Sequence, residues 1–346
     1  MDRYYDGTKL LSLKDIDGNT PEIYMVTTNR TGGKTTYFGR LMINRFLKRK
    51  EKFALLYRYA YEVDDCADKF FKDIGGLFFP DSTMTSKIIG NGFARHLLLD
   101  GEPCGYAFAL NSADQIKKHS HLFSDVSAIL FDEFQSENGD YCPKEISKFQ
   151  SVHMSIARGQ HKQVRYVPVY MLSNAVSLLN PYYIEFDIAS RIQKDTKFMR
   201  GHGWVLEQGY VDSAARAQMQ SGFVKAFSNT QYTNSMSGQA VYLNDNYTFI
   251  ERPTGRFTYL ATINYENKNF SIKEYPDSGI VYIDTSVDMQ YPVKISATTA
   301  DHKINQVIMR TNTPLIIRLK YYFDMGCIRF RNLECKKCLF ALVSSM

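Results

Sequence analysis

Apolar residues in the N-terminal part of the chain follow two alternating patterns. Short apolar runs of strand length occur at Glu22–Val26, Phe53–Tyr57, Ala128–Phe131 and Tyr166–Leu172. Between them, apolar residues recur at helical spacing, which predicts helices at Lys34–Arg49, Asp64–Lys72, Ala113–Lys118 and Lys144–Ala157. Strands that alternate with helices are typical of an α/β fold with a mainly parallel central sheet.

The pattern changes after Gly201-His202-Gly203, which interrupts the apolar periodicity. A short helix is predicted at Val211–Phe227, and the polar stretch Ser228–Asn244 is typical of a linker. Strands and helices of a second domain follow, at Tyr247–Glu251, Arg256–Asn264, Phe270–Tyr275, Gly279–Asp284, Pro314–Asp324 and Asn332–Val343. We therefore predict an α/β domain at residues 1–198, a small helical linker at 199–244 and an α+β domain at 245–346.

The composition narrows the class of protein. The chain has 346 residues, of which 44% are hydrophobic, and this suffices for two or three ordinary cores. No apolar run approaches the roughly 20 residues that cross a bilayer, and the polar segment Met1–Asp6 lacks a signal-peptide core. We therefore expect a soluble, cytoplasmic protein with no membrane partner.

A phosphate-binding loop is predicted between the first strand and the first long helix. Its residues are Thr28, Asn29, Arg30, Thr31, Gly32, Gly33, Lys34, Thr35 and Thr36. In such a loop the glycines let backbone N–H groups surround phosphate oxygens, the lysine reaches the β- and γ-phosphates, and Thr35 binds Mg²⁺. Thr28 stands where the pattern has glycine, so an ordinary glycine-rich turn is the alternative.

Two adjacent carboxylates end the apolar run Ser127–Phe131. Asp132 is placed to hold Mg²⁺, and Glu133 to polarise an attacking water. A solvated surface pair is the alternative, but four apolar strand residues directly before the pair argue against it. Together the two motifs predict a nucleotide hydrolase, because a small-molecule P-loop kinase needs no activated water.

Positive charge is concentrated at the C-terminal end. From Tyr291 to Met346 there are nine Lys and Arg residues against three acids, which equals the +6 excess of the whole chain. Aromatic residues lie between these charges, as in surfaces that contact nucleic-acid backbones. Lys336 and Lys337 are the predicted phosphate contacts, and a solvated helix face is the alternative.

Further segments support a family resemblance. Leu172-Ser173-Asn174-Ala175-Val176 and Asn180-Pro181-Tyr182-Tyr183 follow the carboxylate pair, and Tyr282–Thr285 and Thr298–Asp301 lie in the second domain. In this order the segments resemble the DNA-packaging motor ATPase of phi-29-like bacteriophages, over nearly the whole chain.

The resemblance implies a viral DNA-packaging motor that couples ATP hydrolysis to translocation of double-stranded DNA into a procapsid. It implies ATP and Mg²⁺ as cofactors and a P-loop ATPase domain that forms a homo-oligomeric ring, with five subunits as the implied number. It also implies a ribonuclease-H-like C-terminal domain. The implied partners are the viral portal (connector) and, in the best-known members, a structural packaging RNA. The implied location is the host cytoplasm, with transient docking at the portal vertex.

Site residues carry over from the family by position. Thr28–Thr35 matches its phosphate loop with Arg30 retained, and Asp132 and Glu133 match its metal and water carboxylates. Ser173-Asn174 matches its motif that senses the γ-phosphate. Arg58 falls where the family also has arginine, so the resemblance implies that Arg58 contacts the nucleotide. Two positions later the family has a basic residue and this chain has Ala60.

The cation that acts on a neighbouring subunit's nucleotide is the least determined site residue. The family places an arginine before the Ser-Asn strand, where this chain has Arg158, Lys162 and Arg165. We predict Arg158 as this catalytic arginine, because it ends a predicted helix with Gly159 at the C′ position and would therefore be held at an edge that faces a neighbouring subunit. A cation that interacts with the helix C-terminus is the alternative. Lys117 and Lys118 are further candidates.

Two rival functions remain open. The first is a full terminase with an active nuclease, but ribonuclease-H-like cutting needs about three convergent carboxylates. In the second domain only Asp284 ends a clean apolar strand, so we expect no nuclease. The second rival is a nucleotide-dependent nucleic-acid clamp without turnover, and Glu133 argues against it.

Overall fold

The structure is a computed structural model. It describes residues 5–137, 139–159, 163–178, 180–192, 196–226, 249–308 and 313–344. The chain forms two compact units, one of Met1–Val176 with Thr196–Val241 and the other of Ser177–Asp195 with Tyr242–Met346. This division corrects the predicted borders, because residues 177–195 leave the first unit and the chain then returns to it.

Nine strands form the sheet of the first unit. They are β1 (Ile23–Thr28), β2 (Lys52–Tyr57), β3 (Met84–Ile89), β4 (Ala94–Leu99), β5 (Glu102–Ala109), β6 (Val126–Asp132), β7 (Val169–Asn174), β8 (Phe198–Gly201) and β9 (Trp204–Gln208). Its helices are α1 (Thr8–Ser12), α2 (Lys34–Arg49), α3 (Ala60–Phe78), α4 (Ala113–Lys118) and α5 (Glu145–Ile156). Two more, α8 (Asp212–Gln220) and α9 (Gly222–Ala226), follow β9.

The strand order is β3-β4-β5-β2-β6-β7-β1-β9-β8. The five neighbouring pairs β5-β2, β2-β6, β6-β7, β7-β1 and β1-β9 are parallel. The pairs β3-β4, β4-β5 and β9-β8 at the two sides of the sheet are antiparallel. The predicted mainly parallel sheet is therefore confirmed. The carboxylate strand β6 is not beside the phosphate-loop strand β1, because β7 with Ser173-Asn174 lies between them.

Residues 198–208 form two strands of the first sheet, whereas the sequence predicted a linker from residue 199. Gly201-His202-Gly203 does not end the domain but turns the chain between β8 and β9, which pair antiparallel. β9 then adds to β1 in parallel register, from Ile23 opposite Trp204 to Thr27 opposite Gln208. Predicted linker residues 227–244 lie outside the described part of the chain.

An apolar face of α2 packs this helix against the sheet. Phe38, Met42, Ile43 and Phe46 share one face of α2, and each is at most 1% exposed. They pack in one apolar cluster with β1, β2 and β7 side chains. Burial of this stripe holds the first turn of α2 at the carboxyl end of β1, where the phosphate loop must lie.

The second unit contains a five-stranded sheet in the order β13-β10-β11-β12-β14. Its strands are β10 (Thr258–Tyr265), β11 (Lys268–Tyr275), β12 (Ile280–Asp284), β13 (Lys294–Ser296) and β14 (Ile328–Phe330), and its helices are α6 (Pro181–Glu185), α7 (Ile188–Arg191), α10 (Pro314–Asp324) and α11 (Leu333–Ser344). The three strands β10, β11 and β12 form an antiparallel meander, and β13 and β14 add in parallel at its two edges. Among the described residues, no helix has the length and apolarity to cross a bilayer.

Candidate active site at the carboxyl ends of the parallel strands

The phosphate loop links β1 to α2 through a left-handed turn. Thr31 and Gly33 both have positive φ, of 58° and 87°, and Gly33 lies directly before Lys34, the first residue of α2. A Cβ atom on Gly32 would lie 3.0 Å from Thr28 Oγ1 and 3.2 Å from the Asn29 carbonyl oxygen, so these close approaches favour glycine. The N–H groups of the first turn of α2 have no partner within the helix, which makes this end an anion site.

Thr28 accounts for the departure from the loop pattern. Its side chain is buried, and its hydroxyl donates to the carbonyl of Asn29 at 2.9 Å. The backbone of Thr28 still belongs to β1, paired with Asn174 of β7. A residue that completes a strand does not need the freedom of glycine, so threonine is tolerated here.

Lys34, the first residue of α2, meets Asn174, the last residue of β7. The ammonium group of Lys34 donates to Asn174 Oδ1 at 2.7 Å. Burial lowers the pKa of Lys34, while the nearby carboxylates Asp132 and Glu133 act in the opposite direction. The lysine is therefore held among side chains that recognise phosphate or metal, and a bound phosphate would add a further anionic partner.

Thr35 and Asp132 fit a Mg²⁺ ion. Thr35 Oγ1 donates to Asp132 Oδ2 at 3.0 Å. Two ligands at right angles around octahedral Mg²⁺, each about 2.1 Å from the ion, lie about 3.0 Å apart. Burial raises the pKa of Asp132, and Lys34 opposes that change. The two oxygens thus have the type and spacing of neighbouring Mg²⁺ ligands.

Glu133 occupies an unusual backbone conformation. Its φ is 55°, in the left-handed region that glycine favours, and its side chain is exposed. Burial of part of the carboxyl group and the charges of Asp132 and Glu137 raise the pKa of Glu133. A strained backbone at an exposed carboxylate with a raised pKa is typical of a catalytic base.

Arg58 holds that strained turn in place. Its guanidinium group donates to the backbone carbonyls of Glu133 at 3.2 Å and Phe134 at 2.8 Å. It also pairs with Glu145, with Nε 3.1 Å from Oε2, and both side chains are almost fully buried. The predicted contact between Arg58 and nucleotide therefore needs correction: within this structure Arg58 binds the carboxylate turn.

Ser173 and Asn174 have different surroundings although they are adjacent. The hydroxyl of Ser173 is buried and donates to the carbonyl of Asn174. Asn174 reaches the site, where it binds Lys34 and lies with Nδ2 3.4 Å from Glu137 Oε1. Only Asn174 of this pair is placed to sense a phosphate directly.

Glu137 is a site residue that the sequence analysis missed. It forms an ion pair with Arg30 of the phosphate loop and also approaches Asn174. Its position in an irregular segment after β6 follows no apolar pattern, so the only available signal was its closeness to Glu133 in the chain.

The remaining loop residues face in different directions. The Asn29 side chain is buried and bonded to the backbone of Val211. Thr31 is exposed and donates to the carbonyl of Arg30, while Thr36 is half-buried in the first turn of α2. Asn29 is therefore not directed at a phosphate, in contrast to the prediction.

Of the candidate trans-acting cations, Arg158 and Arg165 lie toward the opposite edge of the sheet. Arg165 donates to the carbonyls of Val126, at the start of β6, and Ile156. The seven residues of β6 separate Val126 from Asp132 by about 20 Å. Arg165 is thus tied to its own chain, whereas Arg158, beside it at the end of α5, is exposed.

Lys117 and Lys118 are also exposed, in the last turn of α4. Lys162 lies outside the described residues. Arg158 and the two α4 lysines therefore remain as described candidates that present a cation to solvent.

Lys336 and Lys337 are not placed as predicted. Lys336 is 2% exposed, and its ammonium group lies 5.7 Å from the Phe249 ring centroid and 5.9 Å from that of Phe340. Lys337 pairs with Asp187 at 2.9 Å. A buried lysine on aromatic rings and a paired lysine are poor phosphate contacts, so this prediction is corrected.

Asp284 ends β12, where a nuclease carboxylate was considered. The ammonium group of buried Lys273 lies 2.8 Å from Asp284 Oδ2 and also donates to the carbonyl of Ser286. Burial opposes ionisation of Asp284, but the Lys273 contact outweighs it and lowers the pKa of this carboxyl. Lys273 thus takes the place at Asp284 that a metal cation would need.

Over nearly its whole length the chain is similar to DNA-packaging proteins of bacteriophages. The model of the family described as Podovirus DNA encapsidation protein (Gp16) matches residues 1–346. The DNA packaging proteins of Bacillus phages PZA and phi29 are each 26% identical to this chain over 347 residues, which covers 99% of this chain and 98% of each relative. A chain of the solved bacteriophage Phi-29 viral genome packaging motor assembly is 25% identical, with a TM-score of 0.59 and 98% of both chains covered.

Proposed function

The chain belongs to the Podovirus DNA encapsidation protein (Gp16) family, and from this premise we propose that it is the ATP-hydrolysing subunit of a motor that packages double-stranded DNA into a procapsid. One observation carries the proposal. Lys34, Thr35, Asp132, Glu133 and Asn174 come from three separate strand ends and meet at one edge of the sheet.

Each side chain has a role in hydrolysis that its place supports. Lys34 and the N–H groups of the loop would hold the phosphates, and Thr35 and Asp132 would hold Mg²⁺, which would supply positive charge against the developing negative charge of the phosphates. Glu133 orients a water and accepts its proton as the water oxygen bonds to the γ-phosphorus. The bond to the β–γ bridging oxygen breaks, and ADP leaves with that electron pair.

A neighbouring subunit completes the site in this proposal. The described lysines whose charges act on the carboxylates Asp132 and Glu133 are Lys34 and Lys69, and Arg30 pairs with Glu137. Arg158 directly follows Ala157, whose carbonyl accepts from the N–H of Arg165, and the Arg165 side chain binds Val126 at the end of β6 remote from Asp132, so Arg158 lies toward the edge remote from the nucleotide of its own chain. Supplied by a neighbour in a homo-oligomeric ring, it would act as a trans-acting arginine. The likeness to a chain of an assembled packaging motor supports such a ring.

The C-terminal unit supplies a nucleic-acid contact in this proposal, at residues other than those first predicted. Lys294 and Lys303 line a shallow cavity of about 500 Å³ with Met289, Ile304, Asn305 and Gln306. Within the described part of the chain, neither lysine ammonium has an ion pair, and Ile304 is 100% exposed.

The two acidic side chains closest in sequence to this cavity, Asp288 and Asp301, both accept hydrogen bonds from neighbouring groups. The Asp301 carboxylate accepts hydrogen bonds from Thr298 and from the N–H of Glu266. Free ammonium groups beside an apolar surface suit phosphates and sugars of a nucleic-acid backbone. The portal and a packaging RNA remain proposed partners, and docking at the portal from the host cytoplasm remains the proposed location.

A salt titration tests the nucleic-acid contact. Replacing Lys294 and Lys303 by alanine should weaken binding of all duplex sequences alike. It should flatten the dependence of log affinity on log salt by about two units, one for each lost phosphate contact. Replacing buried Lys336 and paired Lys337 should leave that slope unchanged in the folded protein. A flatter slope after replacement of Lys336 and Lys337, with an unchanged slope after replacement of Lys294 and Lys303, would instead assign the phosphate contacts to Lys336 and Lys337.

The ATPase rate tests the function against its rivals. Purified chain should hydrolyse ATP, and double-stranded DNA with empty procapsids should raise the rate. A nucleotide-dependent clamp would bind ATP without turnover under every condition. A full terminase would also cut DNA with divalent metal, which the Lys273–Asp284 pair argues against.

A further inference from the structure

One phosphate-loop side chain is bonded to a helix rather than directed at the nucleotide. Val211 donates its backbone N–H to Asn29 Oδ1 at 2.9 Å, and Asn29 Nδ2 donates to the Val211 carbonyl at 3.3 Å. Both residues are less than a tenth exposed. One amide side chain thus bridges both polar groups of the residue immediately before α8.

The backbone around this bridge is tightly packed. A Cβ atom on Gly32 would lie 3.2 Å from Val211 Cγ2, so the loop passes directly beneath the Val211 side chain. Directly after β9, Gly209 donates its N–H to the carbonyl of Thr27 in β1 at 2.8 Å. The segment from β9 to α8 therefore follows β1 and ends on the phosphate loop.

A second segment holds the loop from outside. Tyr5 donates its N–H to the Gly32 carbonyl at 2.7 Å, and its hydroxyl donates to Glu207 of β9 at 2.6 Å. Gly32 is thus enclosed by Val211 on one side and by the Tyr5 backbone on another. A change in the loop at Gly32 or Asn29 must displace these contacts or carry them with it.

We propose that Asn29 is a positioning residue that transmits the state of the phosphate loop to α8. When the loop closes on a phosphate, the two hydrogen bonds draw Val211 and the first turn of α8 with Asn29. The chain continues from α8 through α9 toward the second unit, so α8 is the first element on that path. This inference rests on the proposed function, because it needs ATP to bind at the loop.

Hydrogen exchange of the full-length chain tests the relay, with a non-hydrolysable ATP analogue and Mg²⁺ as the probe. Asn29→Ser removes both hydrogen bonds to Val211, because serine is too short to span them, and adds no charge beside the phosphates. Asn19→Ser is the matched control, because it makes the same substitution in an exposed loop before β1. The analogue should change exchange of residues 211–220 in wild type and in Asn19→Ser.

In Asn29→Ser the analogue should still bind, within about threefold of wild-type affinity, while residues 211–220 no longer respond. If this variant does not fold, Asn29→Ala replaces it, because alanine also lacks both hydrogen-bonding groups. An α8 response equal to wild type would overturn the proposal, and so would a folded variant that fails to bind the analogue. Wild-type chain that binds the analogue without any change at α8 would overturn it as well. Failure of wild type to bind the analogue would instead contradict the proposed function.

Discussion

Glu133 illustrates how single side chains create this site. A glutamate with φ of 55° costs on the order of 1–3 kcal/mol relative to a relaxed backbone. Arg58 offsets that cost by binding the carbonyls of Glu133 and Phe134, and Glu145 compensates the buried charge of Arg58. The position of Glu133, the proposed catalytic base, therefore depends on a buried ion pair between Arg58 and Glu145.

Loss of this ion pair should affect turnover more than binding. In Glu145→Gln, the Arg58 charge loses its partner and the Glu133 turn loses its fixed position. We expect kcat to fall by about 10-fold to 100-fold with little change in KM, because misplacement of the base affects the transition state. Steady-state kinetics measure this, and Glu102→Gln, which disrupts an exposed pair with Lys50, is the control. A normal kcat in folded Glu145→Gln would contradict the account of Arg58.

The pKa of Glu133 gives a second prediction at this scale. Burial, then Asp132, then Glu137 raise that pKa, and the base works only when it is ionised. Glu137→Gln removes one nearby negative charge, so the pKa of Glu133 should fall. The acid limb of the kcat–pH profile should then move to lower pH. Asp140→Asn, an exposed change in the same segment, should leave the limb in place, and an unmoved limb in Glu137→Gln would refute this role.

At the scale of elements, α5 connects the two edges of the sheet. Its first residue, Glu145, binds Arg58 beneath the carboxylate turn, and its last turn leads to exposed Arg158. The helix therefore places a candidate trans-acting cation at the edge remote from its own nucleotide. This arrangement suits a ring in which one subunit's α5 faces the next subunit's site.

Mixed rings test that arrangement. Arg158→Ala subunits keep Glu133, and Glu133→Gln subunits keep Arg158, so a mixture should recover part of the ATPase activity that each loses alone. An arginine supplied in trans is worth roughly 10³–10⁵ in rate, which makes recovery easy to detect. Lys34→Ala mixed with Glu133→Gln is the control, because every site then carries a defect. No recovery at any ratio would shift the role to Lys117 or Lys162.

The Lys273–Asp284 pair gives a prediction about the second sheet. Both side chains are about 2–3% exposed, so Lys273→Met leaves a buried carboxylate without its nearest cation. Breaking such a pair costs about 3–5 kcal/mol, whereas replacing both partners by apolar residues is often close to neutral. Lys273→Met should therefore lower the urea midpoint of this unit strongly, and Lys273→Met with Asp284→Leu should restore most of it. Equal midpoints for wild type and Lys273→Met would show that the pair is not buried in solution.

Elements with strong periodicity were predictable from the sequence. The predicted bounds of α2, α4 and α10 agree with the structure. The hairpin of β8 and β9 was missed, because its strands are short and its glycines indicate a turn and a domain border equally well. Such a strand is specified by its pairing with β1, and that contact is remote in sequence.

At the scale of the molecule, charge counting predicted less than the motifs did. The C-terminal excess of positive charge is real, but Lys336 is buried on aromatic rings and Lys337 is paired. The sequence of a helix shows which residues carry charge, but it does not show which face of the helix is buried against the second sheet. The loop, carboxylate and Ser-Asn motifs were predictable because each follows a buried strand, and parallel strands end at one edge.

The chain passes between its two units more than once, and this also escaped sequence analysis. Residues 177–195 follow directly after the Asn174 strand and belong to the second unit, while 196–208 return to the first. α8 then follows the segment that is bonded to the phosphate loop through Asn29. The first connection to the second unit therefore begins beside Asn174 of the proposed nucleotide site, and α8 begins beside Asn29 of the phosphate loop.

Packaging by Glu133→Gln tests the central claim most directly. Wild-type or variant chain is combined with empty procapsids, double-stranded DNA, ATP and Mg²⁺, and the DNA protected from added nuclease is measured. The account predicts that wild type protects DNA. It predicts that Glu133→Gln binds ATP with near-normal affinity yet protects none, because an amide cannot accept the proton of the attacking water. DNA protection by Glu133→Gln at the wild-type level would contradict the assignment of this site as the source of the motor's energy.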